Sequence, residues 1–154
     1  MTTRVAYTHP LDATLADAWA VVGDFGSLLR WVSGGSEGSI TLTGSGPGMV
    51  RDLVLPSVGN VQHRLDLLDD DAHQITYSLT SGKPLGMVNY SVSLQLVSEI
   101  QAERCTLQWA GEFTAEPDAR LVEIAAGLEN AYRGMSEQLQ DLLTSERTDR
   151  QDKS

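Results

Sequence analysis

Residues 88–97, Val-Asn-Tyr-Ser-Val-Ser-Leu-Gln-Leu-Val, alternate without a break. Val88, Tyr90, Val92, Leu94 and Leu96 fall on one parity, and Asn89, Ser91, Ser93 and Gln95 on the other. A period of two sends these sets to opposite faces of an extended chain, so the stretch predicts a strand with one buried and one wet face, as in an antiparallel sheet. Related patterns occur at 4–9, 39–43, 49–55, 61–68, 74–80 and 105–114. Between the first two, residues 14–25 predict a helix: Thr14 and Asp17 form a capping-box-like pair, and Leu15, Ala18, Trp19 and Val22 line one side. Residues 26–32 predict a second short helix, ended by a Gly-rich segment. After the last strand, Leu121, Ala125, Leu128, Tyr132, Met135, Leu139 and Leu142 recur at spacings of three and four, the apolar stripe of a long helix ending near Leu143.

This order predicts an α+β helix-grip: a curved seven-stranded antiparallel sheet around a long C-terminal helix, with two short helices after the first strand. Residues 4–144 form the one domain, and the polar stretch 145–154 is expected to be disordered. A sheet wrapped around a helix need not close on it everywhere, so an internal cavity is expected.

Composition narrows the function. Against 21 acidic residues stand 11 basic ones, a formal charge of −10. This disfavours nucleic-acid backbones and anionic membrane surfaces as partners. No apolar run reaches the roughly 18 residues of a membrane span, and the N-terminus shows no secretory h-region. The single cysteine, Cys105, allows no internal disulfide, which fits a reducing, cytoplasmic setting. It has no neighbouring base in sequence and reads as a small buried residue.

Two eye-catching stretches read as turns. Asp69, Asp70, Asp71 and His73 crowd the junction between two strand patterns, where Asp side chains bond nearby amides. Their spacing fails the calcium-loop pattern, so a solvated hairpin is expected rather than a metal site. Gly44-Ser-Gly-Pro-Gly48 precedes a strand rather than a helix, which removes the phosphate-cradle reading.

Several pieces together, residues 12–31, 46–53, 63–79, 88–96 and 105–114 with the final helix, resemble the SRPBCC/START-like helix-grip superfamily. That superfamily includes the birch-pollen-allergen fold and the plant abscisic acid receptors; within it, the bacterial polyketide cyclase/dehydrase-like group is the nearest match. The resemblance covers about residues 4–144. It implies a small hydrophobic ligand, polyketide- or lipid-like, and no cofactor. It implies either cyclisation, aromatisation or dehydration of that ligand or, alternatively, a non-catalytic carrier or sensor. Residues 55–60 sit where the receptors carry a gate loop and 81–86 where they carry a latch. The receptors' His-Arg-Leu is missing from the latch, so entrance loops are expected here rather than a receptor-like switch. The protein is expected to be a monomer or homodimer.

Strand parity nominates the lining. Val61, His63, Leu65 and Leu67 share a face, as do Ile75, Tyr77 and Leu79, and Leu107, Trp109, Gly111 and Phe113. Tyr90 and Val92 are inward in 88–97, and Leu128 and Tyr132 lie on the helix stripe. In 49–55 the parity is ambiguous, and the resemblance places Arg51, Leu53 and Leu55 on the cavity side. Trp31, after the second helix, is expected near the mouth, over a ligand. An inward His or Arg is costly unless bonded or hydrated. In a watery cavity His63 would act as general acid or base, Arg51 would hold a carboxylate or enolate oxygen, and the tyrosines would donate to a carbonyl.

Overall fold

The computed structural model describes residues 2–32, 35–56, 59–99 and 103–152. Strands β1 (Thr3–Leu11), β2 (Ser39–Thr43), β3 (Val50–Leu55), β4 (Gly59–Asp69), β5 (Gln74–Ser81), β6 (Met87–Ser98) and β7 (Cys105–Ala115) form one sheet. The strand order is β1-β7-β6-β5-β4-β3-β2, antiparallel throughout. Helix α1 (Leu15–Val22) follows β1, and the long helix α2 (Leu121–Asp152) ends the chain. This is the expected grip: consecutive strands form a meander from β2 to β7, and β1 closes the far edge against β7.

Helix α1 starts as its sequence requires, with Thr14 Oγ1 accepting from the Asp17 amide at 3.1 Å. The second helix does not form as expected. Only single 3₁₀ turns occur, at Leu28–Arg30 and Gly35–Glu37. Trp31 leaves helical geometry (φ −141°, ψ 31°) and sinks into the core, which stops the turn after three residues.

Two bulges alter the simple parity reading. In β4 the register slips between Leu65 and Leu67, so Leu67 turns out to 40% exposure and Leu68 packs on the core instead. In β6 it slips between Met87 and Asn89, so Val88 is 39% exposed while Met87 is 1% exposed. In β3 the ambiguity resolves: Arg51, Leu53 and Leu55 are buried and Val54 is exposed.

The acidic junction is the expected turn. Asp69 Oδ1 accepts from the amides of Asp71 and Ala72, both at 3.0 Å. It also docks α1, because Trp19 Nε1 donates to Asp70 Oδ1 at 2.9 Å and the Trp19 ring meets His73 edge-on. Both partners come from a stretch that was expected to be merely solvated.

Helix α2 buries Ile124, Leu128, Tyr132, Ser136, Leu139 and Leu143. Leu121, Ala125, Met135 and Leu142 flank this line as partly buried neighbours, so the buried face is rotated slightly from the stripe read in sequence. The helix also continues past Leu143 to Asp152, across the stretch expected to be disordered. Glu146 pairs with Arg30, and Arg147 approaches Asp12 at 3.9 Å, which ties these turns to the body. No helix among the described residues is long and apolar enough to cross a membrane.

Candidate functional site

Between the concave face of the sheet and α2 lies a cavity of about 330 Å³. Its volume is at the lower end of the roughly 300–1,000 Å³ typical of small-molecule sites. Leu53, Leu55 and His63 form one wall from β3 and β4; Tyr77, Tyr90 and Trp109 continue it across the sheet, and Leu128 and Tyr132 face them from α2. All eight were nominated by sequence. Leu28, Val32, Val61, Met87 and Met135 complete the apolar lining. Val61 and Met135 were legible, since they share the parity of His63 and the stripe of Leu128. Met87 is inward because of a bulge that no pattern announces.

Four nominated residues stand elsewhere. Val92 is fully buried but packs in the sheet core, away from the cavity. Leu79 is only partly buried, on the part of β5 beyond Ser78, where pairing with β6 has ended. Trp31 does not cover the mouth: its ring packs 6.1 Å from that of Trp109, and its Nε1 donates to Ser27 Oγ at 3.3 Å. Arg51 lies one layer behind the wall, beyond His63.

The mouth is formed by Lys83, Pro84 and Leu85 on one side and Gly127 and Ala131 of α2 on the other. Leu85 takes the left-handed conformation (φ 57°), which brings its side chain across to Gly127. Lys83 Nζ pairs with Glu116 Oε1 at 3.1 Å. This is the segment matched to a latch in sequence, and it lies at the entrance. The other proposed entrance loop, 55–60, includes residues 57 and 58, which lie outside the described residues.

Two polar centres face the cavity. In the first, the hydroxyls of Tyr90 and Tyr132 meet at 2.6 Å. One donates to the other, which leaves one O–H free to donate further. Burial pushes the Tyr90 phenol well above its ordinary pKa, helped by its neighbours Tyr132 and Tyr77; Tyr132 is raised as well, again chiefly by burial. Both are neutral donors. Tyr132 is held by stacking on Trp109 (centroids 4.5 Å apart, planes at 15°). Trp109 Nε1 in turn donates to Ser136 Oγ at 2.9 Å, and Ser136 Oγ donates to the Tyr132 carbonyl at 2.7 Å. The pair also depends on Gly111, opposite Val92 in the sheet: a Cβ there would overlap the Tyr132 hydroxyl. A glycine on the inner face of a strand signals such a close approach.

The second centre is His63 with Arg51. One Arg51 nitrogen donates to the Phe25 carbonyl at 2.9 Å and another to His63 Nδ1 at 3.0 Å. The guanidinium lies 4.1 Å from the Phe25 ring centre and 4.6 Å from that of Tyr77. Arginine can only donate, so His63 Nδ1 is an acceptor and the ring proton resides on Nε2. Burial, reinforced by the Arg51 charge, lowers the His63 pKa to about 3. Desolvation lowers that of Arg51 too. His63 is therefore a neutral donor toward the cavity and a weak base. Cys105 is buried, and its thiol is pushed up to about 11, chiefly by desolvation, so it has little thiolate character.

A wider hollow of about 480 Å³ lies on the outer face of the sheet, over Ala6, Ser91, Ser93 and Ala110. Its polar lining is largely paired within the protein, Thr76 Oγ1 with Ser93 Oγ at 2.7 Å and Arg4 with Glu112 at 3.6 Å.

Fold and cavity together define a helix-grip domain with a mainly apolar chamber that opens at one mouth. Residues 2–144 match the family model described as "Polyketide cyclase / dehydrase and lipid transport", and the chain belongs to this family. The protein XoxI of Bacillus cereus has a similar structure (TM-score 0.81, 22% identity, 92% of this chain and 96% of the other). So does an uncharacterised protein of Bacillus thuringiensis (TM-score 0.79, 21% identity, 92% and 99%). Norcoclaurine synthase of Thalictrum flavum, solved with a transition-state analogue, superposes with a TM-score of 0.73 at 16% identity, over 96% of this chain and 97% of its own. At these identities the likenesses establish the fold. No curated protein matches the sequence.

Proposed function

We propose that the protein binds one compact hydrophobic molecule, polyketide- or lipid-like, between the sheet and α2, and serves as its carrier or sensor. The observation that carries this reading is the apolar chamber itself, whose one charged lining side chain among the described residues is Lys83 at the mouth. The donors on its walls, His63 Nε2–H and the Tyr90–Tyr132 pair, suit a ligand with oxygen acceptors on an apolar frame. Acid–base turnover is less well supported. A histidine whose pKa is held near 3 is a weak base at neutral pH, and Arg51 is a layer away from any bound carbonyl.

Cyclisation, aromatisation or dehydration of the bound molecule is the second reading, favoured by the family's description. Here His63 and the tyrosine pair would polarise a carbonyl as preorganised donors. Native mass spectrometry of protein purified from its own host tests the binding reading. One apolar molecule per chain, released on denaturation, is expected; a polar adduct bound to a protein that no apolar compound stabilises contradicts it. With the released molecule in hand, His63→Ala separates the two readings. Loss of affinity alone supports a carrier, and loss of turnover with binding retained supports an enzyme.

A further inference from the structure

Among the described residues, no carboxylate balances the charge of Arg51. It is 2% exposed, and among the described residues no Asp or Glu oxygen lies within ion-pairing distance. Its partners are a carbonyl, a neutral imidazole and two aromatic faces, and its Nε has no hydrogen-bond partner. Aromatic faces offset part of the desolvation of a cation, but buried charges are ordinarily paired. His63 joins this charge to the cavity: its Nδ1 is tied to Arg51, and its protonated Nε2 is on the far side of the ring, in a residue that lines the wall. Among the described residues the lining contains no carboxylate.

We infer that the ligand is an apolar acid whose oxyanion accepts from His63 Nε2–H, with Arg51 behind the ring as its counter-charge. This rests on the binding reading above and specifies the chemistry of the bound molecule. An imidazole already bonded by a cation at one nitrogen is a polarised donor at the other. In a chamber of low dielectric, the guanidinium attracts the anion through the ring. A neutral amide gains only the ordinary hydrogen bond and leaves Arg51 unbalanced.

The test compares naphthoate with naphthamide, two probes of matched shape, by calorimetry on the full chain at neutral pH. Naphthoate is expected to bind more tightly on the order of tenfold, the difference between a charge-assisted and a neutral hydrogen bond. His63→Phe should erase that preference while naphthamide still binds. Equal affinities, or a tighter amide, overturn the inference and leave the binding reading standing. A preference that survives His63→Phe, or is lost in Lys83→Gln instead, places the anion at the mouth and also overturns it. Binding of neither probe overturns the inference and counts against the binding reading as well. If His63→Phe fails to fold, the exposed Lys83→Gln still decides: a preference that it retains supports the inference, and one that it loses overturns it.

Discussion

Lowering the pH from about 7 to about 5 should remove about 2 kcal/mol of stability through His63 alone. In the unfolded chain this imidazole takes up a proton as the pH falls through its ordinary value of 6.5, whereas in the folded protein it resists until about pH 3. Between those values the unfolded state binds more protons, so acid drains the native state and stability rises with pH across the window. The cause is structural: protonation would bury a charge in the core and, in addition, set a second cation against the Arg51 guanidinium, 3.0 Å from Nδ1. Urea unfolding of the wild type and of His63→Gln at both pH values isolates the effect. Glutamine keeps an acceptor for Arg51 and does not titrate. His9, His73 and the carboxylates are common to both proteins, so their contributions subtract out. The wild type should lose about 2 kcal/mol more than the variant. Parallel pH dependences would refute a neutral His63 and, with it, the tautomer assigned here.

Other expectations concern the walls of the chamber. Gly111→Ala should cost about 1–3 kcal/mol by forcing the Tyr132 hydroxyl off the strand; the penalty should shrink in a Tyr132→Phe background, which a double-mutant cycle by denaturation would read. Ser136→Ala should destabilise by about 1–3 kcal/mol, because Trp109 Nε1 is then buried without a partner; thermal unfolding measures it. Asp70→Ala removes the bond from Trp19 at an exposed site and should cost less than about 1 kcal/mol, with ligand affinity unchanged; urea unfolding and a probe titration check both parts.

The grip itself was legible because its signals are local and redundant. The alternation in 88–97 and the stripe from Leu121 to Leu142 each impose a period, and together they leave few ways to pair a sheet with a helix. Parity also recovered most of the chamber's walls, including His63, Tyr77, Tyr90 and Trp109. It misplaces residues where a bulge inserts one position: Leu67 and Val88, both read as inward, turn outward. It also assigned a face without a depth. Arg51 and Val92 do face the core, but how far along the sheet the chamber reaches depends on which side chains from distant segments fill it. Trp31 was misjudged for the same reason, since its packing against Trp109 joins residues far apart in sequence. Gly111 was read only as an inward position; its role beneath Tyr132 needs the helix in place.

Titration with the neutral fluorophore N-phenylnaphthylamine tests the central claim, a single apolar chamber under α2, most directly. Leu128, buried on α2 and lining the chamber, is the position to fill. Wild-type protein should bind one equivalent with a blue-shifted rise in emission, and Leu128→Trp, folded by circular dichroism, should abolish the signal. Undiminished binding in the filled variant, or none in the wild type, would contradict the account.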